Sequence, residues 1–149
     1  MTHYKGKQRE VRALDAYVKL MRAAESVTAR VNHHLDAAGL TVSQFGVLEA
    51  LYHLGPLVLS DLARKILKTS GNITMVVDNL EKRGLAERCP DATDRRFRRV
   101  SITPRGRKLI AAIFPAHARG ISAALAVLSL SEQDALAALC RKLGKAQIE

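Results

Sequence analysis

The 149-residue sequence contains no tryptophan, three phenylalanines and three tyrosines. Its core must therefore be built from Leu, Val, Ile and Ala, a composition that leans helical. Two cysteines, Cys89 and Cys140, are too few for a disulfide framework. The expected setting is reduced and cytoplasmic. No apolar run reaches the roughly 18 residues of a membrane span, and the polar start MTHYKGKQREVR does not read as a signal peptide. No glycine-rich phosphate loop or nucleophile–base set appears, so neither an enzyme nor a cofactor is expected. His33, His34, His53 and His117 lack ligand spacing with carboxylates or cysteines, which argues against a metal site. Acid is scarce as well: 14 Asp and Glu stand against 24 Lys and Arg, for a formal charge of +10.

That excess favours a polyanionic partner, nucleic acid or an acidic membrane, and it is concentrated. Residues 56–108 hold 13 basic and 6 acidic side chains, most of the surplus of the chain. Its densest part is PDATDRRFRRVSIT, residues 90–103, where Asp91 and Asp94 lead into Arg95, Arg96, Arg98 and Arg99. Folding alone does not call for four crowded arginines.

The apolar spacing orders the elements. Val11, Leu14, Val18, Met21, Ala24, Val27, Val31 and Leu35 recur at steps of three and four, which predicts a long helix over 9–38. Gly39 follows it as a C-cap. Thr41 to Gln44 is a capping box that opens a second helix, and Gly55-Pro56 closes that helix. Leu57-Val58-Leu59 is a short extended run, and Ser60 can cap a third helix. A fourth helix begins near Thr69-Ser70-Gly71-Asn72, carries Ile73, Val76, Val77 and Leu80 as one apolar stripe, and ends at Gly84. Leu85 to Cys89 and Val100 to Thr103 alternate like the strands of a hairpin. Thr103-Pro104 restarts a helix towards Val127, with Pro115 expected to kink it or break a hydrogen bond, which leaves its continuity open, and Gly120 a weak point. Ser131 caps a last helix.

This order is that of a winged helix-turn-helix. The fold class is mainly α with a small antiparallel β wing, and long N- and C-terminal helices are added. In such a fold the fourth helix reads the major groove, and the wing tip meets the backbone or the narrow minor groove, where negative potential is strongest. Arginines at the tip repel one another until the polyanion arrives. Asp91 and Asp94 offset that repulsion, and one of them can brace an arginine. Ser70, Asn72, Thr74, Met75, Asp78 and Asn79 are left outside the buried stripe. Asn72 and Thr74 suit base edges or phosphates, but also plain capping. Lys68, Lys82, Arg83, Arg105, Arg107 and Lys108 are each phosphate contacts or ordinary surface charges.

Two stretches, LSDLARKILKTSGNITMVVDNLEKRGLAER and DATDRRFRRVSITPRGRKL, resemble the multiple-antibiotic-resistance-regulator (MarR) family of bacterial transcription factors. The resemblance covers nearly the whole chain. It implies that the first stretch is the helix-turn-helix and the second the wing. By that likeness Asp94 orients a wing arginine, Arg96 enters the minor groove, and Arg95 meets the backbone. Ser70, Asn72 and Thr74 would sit at the major groove; Arg98 and Met75 are further DNA-binding candidates. Many members carry arginine where Met75 and Asn79 stand here, so fewer guanine contacts are expected. TSGNITMVVDNLEKRGL is similar to a subgroup that responds to quinones and phenolics.

The chain is expected to form one domain, 1–149, with a DNA-binding region over 41–108 and dimerisation helices over 9–38 and 104–149. The apolar stripes of those helices need cover, which a second copy would supply. A two-fold dimer then reads a palindromic operator with half-sites roughly 10 base pairs apart. The resemblance implies a small phenolic or aromatic effector bound beside the dimer helices, with Met21, Phe45, Tyr52 and Phe114 as its candidate lining, although plain core packing explains the same residues. Family members that sense oxidants use a cysteine near the start of the first helix; here the first cysteine is Cys89, which reads as an unreactive strand residue. The expected function is a DNA-binding regulator, a repressor by the same likeness. The alternative is an architectural protein that coats DNA without sequence choice.

Overall fold

The computed structural model describes residues 4–66, 70–91 and 98–145. The chain runs α1 (Gln8–Ala37), α2 (Val42–Leu54), β1 (Leu57–Val58), α3 (Leu59–Lys65), α4 (Ser70–Lys82), β2 (Ala86–Pro90), β3 (Arg98–Ile102), α5 (Pro104–Leu125) and α6 (Leu130–Lys145). The three strands form one antiparallel sheet in the order β1-β3-β2. Val100 is the pivot of the register, opposite Leu57 on one side and Arg88 on the other.

Two compact units emerge, Asn32–His117 and Met1–Val31 with Ala118–Glu149. The first holds a single core. Leu35 from α1, Phe45, Val47, Leu48 and Leu51 from α2, Leu62 from α3, Ile73, Val77 and Leu80 from α4, Val100 from β3 and Ile110 from α5 are all buried there. These are the apolar residues at helical and strand spacing, so the periodicity that names the elements also names the core. Thr41 caps α2 as expected, its hydroxyl accepting from the Gln44 amide while the Gln44 side chain accepts from Thr41 N. A cap of this kind contributes about 1 kcal/mol.

The second unit carries the N-terminal part of α1, the end of α5, and α6. No residue of α6 is buried, and Leu136, Leu139 and Leu143 are open to solvent. On α1, Leu14, Tyr17, Val18 and Met21 are likewise exposed. Among the described residues no single helix is long and apolar enough to cross a membrane.

Three local expectations are corrected and one open point is resolved. Ser60 does not cap α3: β1 passes straight into the helix, extended Val58 takes the cap position without a side-chain bond, and Ser60 lies in the first turn. Ser129, not Ser131, opens α6. Its hydroxyl accepts from Glu132 N, and the Glu132 carboxylate accepts back from Ser129 N at 2.8 Å. Ser129 N, and after it the Ser129 hydroxyl, donate to the Glu132 carboxylate and hold it below the usual carboxylate range. The continuity of α5, open in the sequence, is resolved by a helix that runs through Pro115. Proline forfeits one hydrogen bond there, but Ile110, Ile113 and Phe114 before it and His117 after it are anchored by packing. Finally, β3 starts at Arg98, so Arg98 and Arg99 belong to a strand rather than to the tip.

Candidate nucleic-acid interface

Helix α4 is amphipathic in the simplest way. Ile73, Val76, Val77 and Leu80 are buried at steps of three, one and three. Gly71, Asn72, Thr74, Met75, Asn79 and Lys82 are exposed on the other side, Met75 to 59% of its surface. The helix stops at Gly84, whose φ of 67° suits a residue without Cβ. Gly84 N donates to Glu81 O at 2.8 Å and Leu85 N to Leu80 O at 2.9 Å, which turns the chain into β2.

Two arginines hold α4 in place. Arg83 donates to Gly39 O at 2.7 Å, and so ties the end of α4 to the α1–α2 corner. Arg83 therefore has a part in the fold, whatever else its guanidinium meets. Arg88 on β2, whose side chain is only 16% exposed, donates to Asp78 Oδ1 at 2.7 Å and to Glu81 Oε2. Its backbone N donates to Glu81 Oε1 at 2.8 Å. Recognition helix and first wing strand are thereby joined by three bonds.

The base of the wing has its own clamp. Asp91 is 6% exposed and accepts from Arg99 Nε. Arg99 Nη1 also donates to Pro56 O at 3.3 Å, just before β1. Arg99, its side chain still 45% exposed, is thus paired within the protein, and Asp91 braces it. Arg98, opposite Pro90, is exposed. Asp94, Arg95 and Arg96 lie outside the described residues, as does Lys68; Ser70 opens α4, with its side chain also outside them. Lys82, Arg105 and Lys108 are exposed, whereas Arg107 lies over the Tyr52 ring, 5.3 Å from its centroid.

The four residues named for an effector divide between the units. Met21 is exposed in the unit that holds α6. Phe45, Tyr52 and Phe114 lie in the other, in a chain of rings that sequence reasoning did not anticipate. Phe45 is buried against His117 at 4.5 Å, and His117 lies 5.2 Å from His34. Phe114 packs on His53 at 4.8 Å, and His53 on Tyr52 at 5.0 Å. Burial, followed by the neighbouring His34, pushes the His117 imidazole below its usual value, against a smaller opposing effect of Glu49. His34 Nε2 and His117 Nδ1 are buried and find no hydrogen-bond partner among the described residues. Along α2 and the end of α3 runs an open groove of about 470 Å³, lined by Val42, Gly46, Glu49, His53, Lys65 and Ile66 among others. None of the four named residues lines it. Among the described residues, no three His, Cys, Asp or Glu side chains come together as a metal would require.

An amphipathic recognition helix locked to a two-stranded wing is the architecture expected of a DNA-binding winged helix. A family model described as MarR family matches residues 38–96. The HTH-type transcriptional regulator MhqR of Bacillus subtilis is 38% identical over 89% of this chain and 92% of its own length. The chain belongs to the MarR family. Bordetella bronchiseptica BpsR, solved to explain how 6-hydroxynicotinic acid regulates its DNA binding, superposes with a TM-score of 0.78 at 28% identity, over 87% of this chain and 98% of BpsR. A probable transcriptional regulator from Pseudomonas aeruginosa does so with a TM-score of 0.74 at 34% identity, over 85% and 94%. The MarR fold, helical with a small antiparallel sheet, and the role in DNA-binding transcriptional regulation follow.

Proposed function

We propose that this MarR-family chain is a homodimeric repressor that binds a palindromic operator and is released by a small aromatic acid. The exposed face of α4 carries the reading: it is polar, projects from a rigid support, and has no function in the core. Exposed Arg98 and the surplus of +10 supply the phosphate attraction that such a face needs.

Dimerisation is supported by the solvent-facing leucines of α6 and the exposed Leu14, Tyr17 and Met21 of α1, which a second copy would cover. Two α4 helices related by two-fold symmetry then ask for a palindrome. The effector reading is supported by the groove beside α2. Its size is that of small-molecule sites, its walls are apolar, and Lys65 offers a cation to an acidic group. BpsR, regulated by an aromatic acid, points the same way. Release requires that the ligand prefer a conformation that cannot reach both half-sites.

The test is a pool of random duplexes, from which the purified chain should enrich a two-fold symmetric site. Sedimentation should give twice the chain mass of 16.3 kDa. Addition of 6-hydroxynicotinic acid should lower affinity for the enriched fragment. Enrichment of no site would favour the architectural alternative, and no response to the acid would remove this effector class from the reading.

A further inference from the structure

We infer that the recognition helix reads A·T base pairs, with Met75 on a thymine methyl and Asn79 on an adenine edge. This rests on the operator-binding reading above.

The inference comes from what the exposed face of α4 offers. Each base pair shows a distinct pattern in the major groove. Guanine is read by Arg or Lys, cytosine by Asp or Glu, adenine by Asn or Gln, and the thymine methyl by an apolar side chain. The 13 residues of α4 hold no arginine, and its basic residue is Lys82, in the last turn. The two acids of the helix are Asp78 and Glu81, and both are drawn to Arg88 on β2. Arg88 therefore removes the cytosine readers while it fixes the helix to the wing. Asn72 and Thr74 are exposed in the first turns, while Met75 and Asn79 stand in the middle of the helix, four residues apart and so stacked on one face. Both are exposed, and they lie across the helix from buried Ile73, Val77 and Leu80. An unbranched thioether open to 59% on a polar face makes no sense as core. It fits an apolar partner that arrives with the DNA, and the C5 methyl of thymine is the apolar group displayed in the major groove.

The experiment uses the full-length protein and the symmetric fragment that it enriches from a random pool. Each thymine is replaced in turn by deoxyuridine, which lacks the C5 methyl, and each adenine by 7-deazaadenine, which lacks N7. One thymine per half-site should lose about fourfold in affinity on methyl removal, the scale of one buried carbon. One adenine should lose about tenfold on loss of N7. Met75→Ala should abolish the first sensitivity, Asn79→Ala the second, and neither the other. Both side chains are exposed, so circular dichroism should show both variants folded. An enriched site in which these two substitutions relax a G·C position would overturn the inference and leave the regulator reading intact. So would a site insensitive to both analogues. A pool in which no fragment is enriched overturns both together.

Discussion

The guanidinium of Arg88 on β2 lies 2.7 Å from the Asp78 carboxylate on α4. The contact couples the helix proposed to read the major groove to the strand that leads into the wing. Arg88→Ala should lower the stability of the chain by about 1–2 kcal/mol, since the acids it leaves behind are only partly buried. Operator affinity should fall further than that loss of fold explains. Arg88→Lys should recover little, because one ammonium does not span two carboxylates as a planar fork does. Urea titration beside fluorescence anisotropy on DNA separates the two effects, and an unchanged urea midpoint would count against the coupling.

Neighbouring arginines of β3 should behave differently. Arg98 faces solvent, so Arg98→Ala should reduce the dependence of log affinity on log salt by about one unit and leave thermal stability unchanged. Arg99 is held by Asp91 and Pro56 O, so Arg99→Ala should lower the melting temperature and change the salt slope little. Identical salt slopes for the two variants would refute the division.

Gly106 marks the tightest backbone approach. A Cβ there would lie 2.1 Å from Leu85 O, where α5 starts against the end of the α4 turn. Gly106→Ala should therefore destabilise the chain by about 2 kcal/mol or more, through backbone displacement. Thr103→Ala should cost about 1 kcal/mol, since its hydroxyl caps α5 at Gly106 N and donates to Gly84 O at 2.7 Å. A Gly106→Ala urea midpoint equal to the parent would contradict the packing.

Acid should weaken the fold through His117. Its imidazole is held below the ordinary value by burial and by His34. The unfolded chain takes up a proton near pH 6.5 and the folded one only at lower pH. Stability is therefore complete above about pH 6.5 and declines as pH falls from there towards the depressed folded value. His117→Phe keeps a ring against Phe45 and should flatten that decline. Urea midpoints between pH 7.5 and 5 measure it; an equal slope in the variant would assign the effect elsewhere.

Much of this was legible in the residues. The stripe Ile73, Val76, Val77 and Leu80 located α4 and its buried face, because apolar spacing is a local signal. Gly84 and the alternation on either side of PDATDRR located the hairpin. What was missed depends on contacts between elements. The role of Arg88 appears only when β2 is laid along α4; the clue available was the pair Asp78 and Glu81, three residues apart on one helix. Arg99 looked equivalent to Arg98, and the register that places it near Pro56 was invisible before β1 joined the sheet. The histidines were weighed as metal ligands, and their ring packing with Phe45 and Phe114 required α1, α2 and α5 to meet. Pro115 left the continuity of α5 open, and the packing of Ile110, Phe114 and His117 around it carries the helix through.

The central claim, that the α4 face selects sequence, is tested most directly by competition. The enriched fragment is labelled, bound by the full-length chain at about 0.15 M salt, and challenged with unlabelled random duplex. Sequence-specific regulators prefer their site by about a thousandfold or more. We predict a preference of that order; equal competition by random duplex would contradict the account.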